Sequence, residues 1–166
     1  QLAKNRECKD EHIDVHYNPL VLQPISGHRS CSISVIICNR IVVPNVRQTF
    51  KGRFSPRAKR YNDDQVAIKK AIEHEIYMLN LINQDAPFEM LGKEWDLSVF
   101  MGFWMHREGR LNNIKIIDID NLQKAIGDAL QGHIYYNDNK INTVNAFKKE
   151  NDFNYTFINI IGDRLI

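Results

Sequence analysis

The chain has 166 residues, 43% of them hydrophobic, which suits one globular domain with a core of its own. Its 22 basic side chains are nearly balanced by 20 acidic ones, so a formal net charge of +2 gives no global field for a polyanion, and any nucleic-acid signal has to be local. Three cysteines, an odd number, make no disulfide framework and favour a reducing compartment; no run nears the ~18 apolar residues of a spanning helix and no secretory signal opens the chain, so a cytoplasmic protein without a membrane partner is expected.

Residues 1–30 are polar and irregular, with Pro19, Pro24 and Gly27 as punctuation, and are expected to form an extension with little regular structure. Residues 31–166 are then the domain proper. Between Cys31 and Val43 the β-branched residues Ile33, Val35, Ile36, Ile37, Ile41, Val42 and Val43 crowd into a strand that Pro44 closes. The next stretch, NVRQTFKGRFSPRAKRY, carries Arg47, Lys51, Arg53, Arg57, Lys59 and Arg60 without an acidic residue and interleaves Phe50, Phe54 and Tyr61. Charge runs are more often solvated faces than binding surfaces, but the aromatics favour a loop that positions DNA through its phosphates.

Asn62, Asp63 and Asp64 predict a helix start, because short polar side chains cap free amides and carboxylates suit the positive end of the dipole. Ile68, Ile72, Ile76 and Leu79 continue it with one apolar stripe. Trp95, Leu97, Val99, Met101, Phe103 and Met105 occupy alternate positions of a strand whose other face is only partly polar, which places it inside a sheet. After the polar connection HREGRLNN comes a second helix, and then YYNDNKINTVNAF and NYTFINII read as two strands divided by KKEND. The expected class is α+β: a mixed sheet of about four strands carrying two principal helices.

The chemistry concentrates in IIDIDNLQKAIGDALQG. Asp120 stands where an N-cap would, Leu122, Ala125, Ile126, Ala129 and Leu130 form the core-facing stripe, and Gly132 ends the helix. Asp118 lies two residues upstream on an extended lead-in, so its carboxylate and that of Asp120 are expected to point the same way. Two converging carboxylates need a cation between them, and hard oxygen donors without His or thiolate favour Mg2+ or Mn2+. Asp138 becomes the third ligand if the chain doubles back. Lys124, one turn into the helix, would offset charge on a phosphate. Together these parts describe phosphodiester hydrolysis. A calcium loop also opens on alternating aspartates, but it requires oxygen ligands and a glycine where this chain has Leu122 and Gln123.

The string from Asp118 through Asp120, Asn121, Leu122, Lys124, Ala125, Asp128, Ala129 and Leu130, followed by Asp138, closely resembles the core motif of RusA-type Holliday junction resolvases. The resemblance implies a small homodimeric endonuclease that uses Mg2+ or Mn2+ to cut four-way DNA junctions by paired nicks. It implies metal ligands at Asp118, Asp120 and Asp138 and a catalytic lysine at Lys124. Asn121 and Asp128 also occupy motif positions; Asn121 is grouped with the DNA contacts and Asp128 takes a supporting part. The order of elements agrees over about 40–161, with the basic stretch as the DNA-facing loop. Two alternatives stand beside this reading: a catalytically silent DNA-binding module, and a branched-DNA nuclease of broader specificity.

Overall fold

The strand periods resolve into a sheet because each strand turns its apolar alternate residues to one side. The computed structural model of the chain describes residues 10–19, 28–45, 52, 55–106 and 117–165. In chain order these form β1 (His12–Pro19), β2 (His28–Cys38), α1 (Pro56–Ile82), β3 (Asp96–His106), α2 (Ile119–Leu130), β4 (Ile141–Asn151) and β5 (Tyr155–Leu165), with a 3-10 turn at Asp138–Lys140 before β4. Among the described residues the strands make one mixed sheet in the order β1-β2-β5-β3-β4. The strands β1, β2, β5 and β3 pair antiparallel in that sequence, and β3 pairs β4 in parallel. No helix among the described residues is long and apolar enough to cross a membrane.

One face holds the core. Ile13 and Val15 of β1, Ile33, Val35 and Ile37 of β2, Leu97, Val99, Met101 and Phe103 of β3, and Ile158 and Ile160 of β5 are buried in a single cluster with Ile68 and Ile72 of α1 and the whole apolar stripe of α2. A parallel pair needs a crossover, and α2 supplies it between β3 and β4. The opposite face carries Phe100, Trp104, Phe147, Tyr155 and Phe157, whose rings meet edge-on or tilted at 5.0–6.3 Å. Gly102 lies beneath that group, and a Cβ there would come within 2.6 Å of the Trp104 ring.

The structure differs from the sequence expectations at several points. The sheet has five strands rather than about four, because residues 12–19 of the supposedly irregular extension pair with β2 along its length. The apolar period of β1 is short, with only Ile13 and Val15 buried, and its partner supplies the order that its own composition does not. Helix α1 begins six residues before Asn62: Ser55 caps it by accepting from the Ala58 amide, and Pro56 stands at the first helical position. Arg57, Lys59 and Arg60 therefore belong to the helix, not to a loop.

Strands β4 and β5 are sequence neighbours but not sheet neighbours, since β3 lies between them; residues 152–154 pass around its end, where the Asn154 side chain accepts from the His106 amide. The cysteines also depart from expectation. Cys38, at the end of β2, is disulfide-bonded, while Cys31 is a buried free thiol.

Candidate active site

Helix α2 begins two residues earlier than its capping pattern suggests, and that alters how its two leading aspartates are held. Asp118 is the N-cap, in extended conformation, and Asp120 already sits in the first helical turn. The two are thus not successive outward positions of a strand. Asp118 makes no side-chain capping hydrogen bond, so its carboxylate is not spent on the helix amides. Both side chains are exposed at the positive end of the helix dipole.

Lys124 is also exposed, one turn in, and lies 3.4 Å from Asp128. Asp128 collects further donors: the Tyr61 hydroxyl at 2.7 Å and the Asn45 amide at 3.4 Å, while Asn45 also donates to the Tyr61 oxygen at 3.0 Å. The Asn45 backbone N–H donates to the Asn121 carbonyl at 3.0 Å, and Gln65 donates from α1 to the Ala125 carbonyl at 2.8 Å. These bonds fix the start of α1, and the segment that leads into the basic stretch, against the face of α2 that carries Lys124.

Past α2 the chain does double back. Gly132 takes a positive φ of 85°, its amide donates to the Tyr135 carbonyl, and the buried Tyr135 hydroxyl reaches the Gly127 carbonyl at 3.1 Å. Burial raises the Tyr135 phenol well above its ordinary range, and the negative charges of Asp138 and Asp128 add to the shift. Both carboxylates are therefore within electrostatic reach of one hydroxyl. Asp138 itself stands in the 3-10 turn, exposed, rather than in a strand-like segment, because Asn137 caps that turn by accepting from the Asn139 amide.

Three exposed carboxylates form a donor set of the hard oxygen type that suits Mg2+ or Mn2+. Among the described residues, however, no group of three or more His, Cys, Asp or Glu side chains is placed to hold a metal ion. The donor chemistry fits such an ion, and a ready-made cage is absent from the described part. Of the basic residues, Arg57, Lys59 and Arg60 are exposed at the start of α1; Arg47, Lys51 and Arg53 lie outside the described residues. Lys59 is drawn to Asp63 at 2.8 Å, which raises its pKa.

Sequence reasoning missed what three residues contribute. Lys148, half-buried on β4, donates to the Ile117 carbonyl just before Asp118 and fastens the lead-in to the sheet. Asn45 was missed, and Tyr61 was read as an aromatic of the basic loop, because only the folded chain brings the two to Asp128. Tyr61 carries a pH signature: burial first, and then the hydrogen bond it donates to Asp128, push its phenol from 10.0 up to about 12. The fold favours the neutral phenol, so its stabilisation is complete below pH 10, the ordinary value, and fades as pH rises through about 12. Tyr61→Phe should cost about 1 kcal/mol at neutral pH and flatten the alkaline fall in stability. Urea midpoints measured from pH 8 to pH 11.5 would show this, and an unaltered alkaline slope would count against it.

The family profile described as Endodeoxyribonuclease RusA matches residues 42–161, a span that takes in α1, α2, the returning segment, β4 and most of β5. No curated protein matches the chain. Since the profile covers well over half of the sequence, this protein belongs to the RusA endodeoxyribonuclease family.

Proposed function

We propose that the protein is a divalent-metal-dependent endonuclease that resolves four-way DNA junctions by paired nicks, acting as a homodimer. The observation that supports it most is the head of α2, where a helix cap keeps its carboxylate unspent, a second aspartate follows two residues on, and a lysine follows one turn later, all inside the family-matched span. Asp118, Asp120 and Asp138 would hold Mg2+ or Mn2+. When bound, the ion would activate water and steady negative charge at phosphorus. Lys124, with 61% of its side chain exposed, can leave Asp128 and place its ammonium against the scissile phosphate. Asp128 parks that lysine between turnovers, while Arg57 and Arg60, with Arg47, Lys51 and Arg53 before them and Asn121 at the head of α2, position the DNA.

Two coordinated cuts call for two active sites, which is the physical reason for a dimer. A silent DNA-binding module is the competing reading, favoured by the lack of a preformed metal cage among the described residues. One experiment separates the possibilities: a mobile four-way junction, a fork and a linear duplex of shared sequence are each incubated with the protein at one Mg2+ or Mn2+ concentration. Paired nicks confined to the junction are expected. Comparable cutting of all three would mean a nuclease of broad specificity, and junction binding without nicking in Mn2+ would mean a silent module.

A further inference from the structure

Beside Asp138 lies a surface that the basic stretch does not account for. Gly92, Lys93, Tyr136, Asn137, Asn139 and Lys140 line a recess of about 350 Å3. It is built from the loop before β3 and the turn that carries Asp138, which are joined by backbone bonds between Leu91 and both Ile134 and Tyr136. Its lining holds two lysines, two amides and an aromatic ring, and no acidic side chain. Glu94, two residues along the same loop, lies against Gly92 at the edge of the recess, and its charge is paired with Arg164 at 3.6 Å. Among the described residues neither Lys93 nor Lys140 is in an ion pair.

Tyr136 is the other unusual member. Its neighbour Tyr135 is 1% exposed and packed in the core, whereas Tyr136 is 52% exposed, a large ring left in solvent with the Lys93 ammonium 5.6 Å from its centroid. A flat ring beside lysine ammonium groups is the combination that holds a nucleic-acid strand without reading its sequence: lysines take phosphates, and the ring takes the face of an unstacked base.

We infer that this recess is a strand-binding subsite, in which a DNA strand passing Asp138 seats one phosphate against Lys93 and the next against Lys140 and lays an unpaired base or sugar against Tyr136. It rests on the reading of the protein as a DNA endonuclease. Strands that leave a duplex at a branch point offer such unstacked nucleotides, and a continuous duplex does not. The subsite therefore contributes more to branched than to linear DNA, and it lies on a different element from the basic residues at the start of α1.

The test measures binding of a fluorescent four-way junction and of a matched linear duplex across a salt series, in an Asp120→Asn background so that nothing is cut. Lys93→Ala with Lys140→Ala should weaken junction binding about tenfold and lower the slope of log affinity against log salt by about 1.4–1.8, the loss of two phosphate contacts. Tyr136→Ala should weaken junction binding at least about fivefold and duplex binding less, while Tyr136→Phe, which keeps the ring, should bind normally. Lys70→Ala, an exposed charge on α1, controls for net charge, and thermal unfolding verifies that each variant folds. If the parent binds junctions and the double lysine variant matches it in affinity and slope, the subsite is refuted and the nuclease reading stands. If the parent binds no DNA at all, both are refuted.

Discussion

Replacing Asp120 by Asn is expected to slow strand cleavage by a thousandfold or so, while folding and junction binding stay nearly intact. Asp120 is exposed in the first turn of α2 and makes no hydrogen bond or ion pair among the described residues, so the fold loses little with its charge. The loss amounts to its interaction with the helix dipole, about 0.3–1 kcal/mol. Asn keeps the size and shape of the side chain but is a weak ligand for a hard dication. If the ion steadies the transition state by several kcal/mol, losing a charged ligand removes roughly 4 kcal/mol, which is about three powers of ten in rate. Single-turnover nicking of a labelled junction in Mn2+ measures this, and gel shifts on the same DNA measure binding. Cutting at the unmodified rate would remove Asp120 from the site and leave the metal assignment without its central member.

The largest expected loss of stability comes from Asp64→Ala, about 3 kcal/mol. Asp64 is 6% exposed, and its carboxylate accepts from the Arg40 guanidinium, through Nε at 3.0 Å and through Nη2, and from the Val43 amide at 3.1 Å. Burial works against the Arg40 charge, yet the bond and charge of Asp64, with Glu11 on the outer side, outweigh it and hold the guanidinium pKa above its ordinary value. Removing the carboxylate strands a half-buried cation and leaves the amide without its acceptor. Arg40 keeps some access to water, which places the cost at the lower end for a broken buried pair. The urea midpoint should fall accordingly, and Asp64→Asn, which keeps the shape and one acceptor, should fall less. An unchanged midpoint in the alanine variant would contradict this account. Cleavage should also weaken, since Val43 leads directly to Asn45 and its bonds with α2.

Asp64 also illustrates what could not be read from the sequence. As a letter next to Asn62 and Asp63 it imitates a helix cap; in the fold it is the acceptor for an arginine 24 residues away. The true start, Ser55 followed by Pro56, is an equally strong local signal that was hidden by the basic run around it. Where a pattern is local and long, sequence sufficed. The stripe from Leu122 to Leu130 is fully buried, the alternation of β3 points inward as written, and the turn at Gly132 reverses the chain. Where structure depends on a distant partner, it did not. Strand β1 is ordered by β2, β4 shows almost no burial alternation because it lies at the sheet edge, and the position of β5 between β2 and β3 has no local trace. At the site, the aspartates and Lys124 were legible as a motif, whereas Tyr61, Asn45 and Lys148 reach it only through tertiary contacts.

The place of β5 has a bearing on how the molecule is made. During synthesis the β1–β2 hairpin and the β3–α2–β4 unit are finished first, and they share no ladder until residues 155–165 leave the ribosome and slide in as the keystone. Contacts such as Ser30 with Asp163 close across 133 residues, so this last step is the slow one, and until it happens two open strand edges face solvent. A nascent chain stalled before Tyr155 would be two sticky half-sheets and a ready client for chaperones.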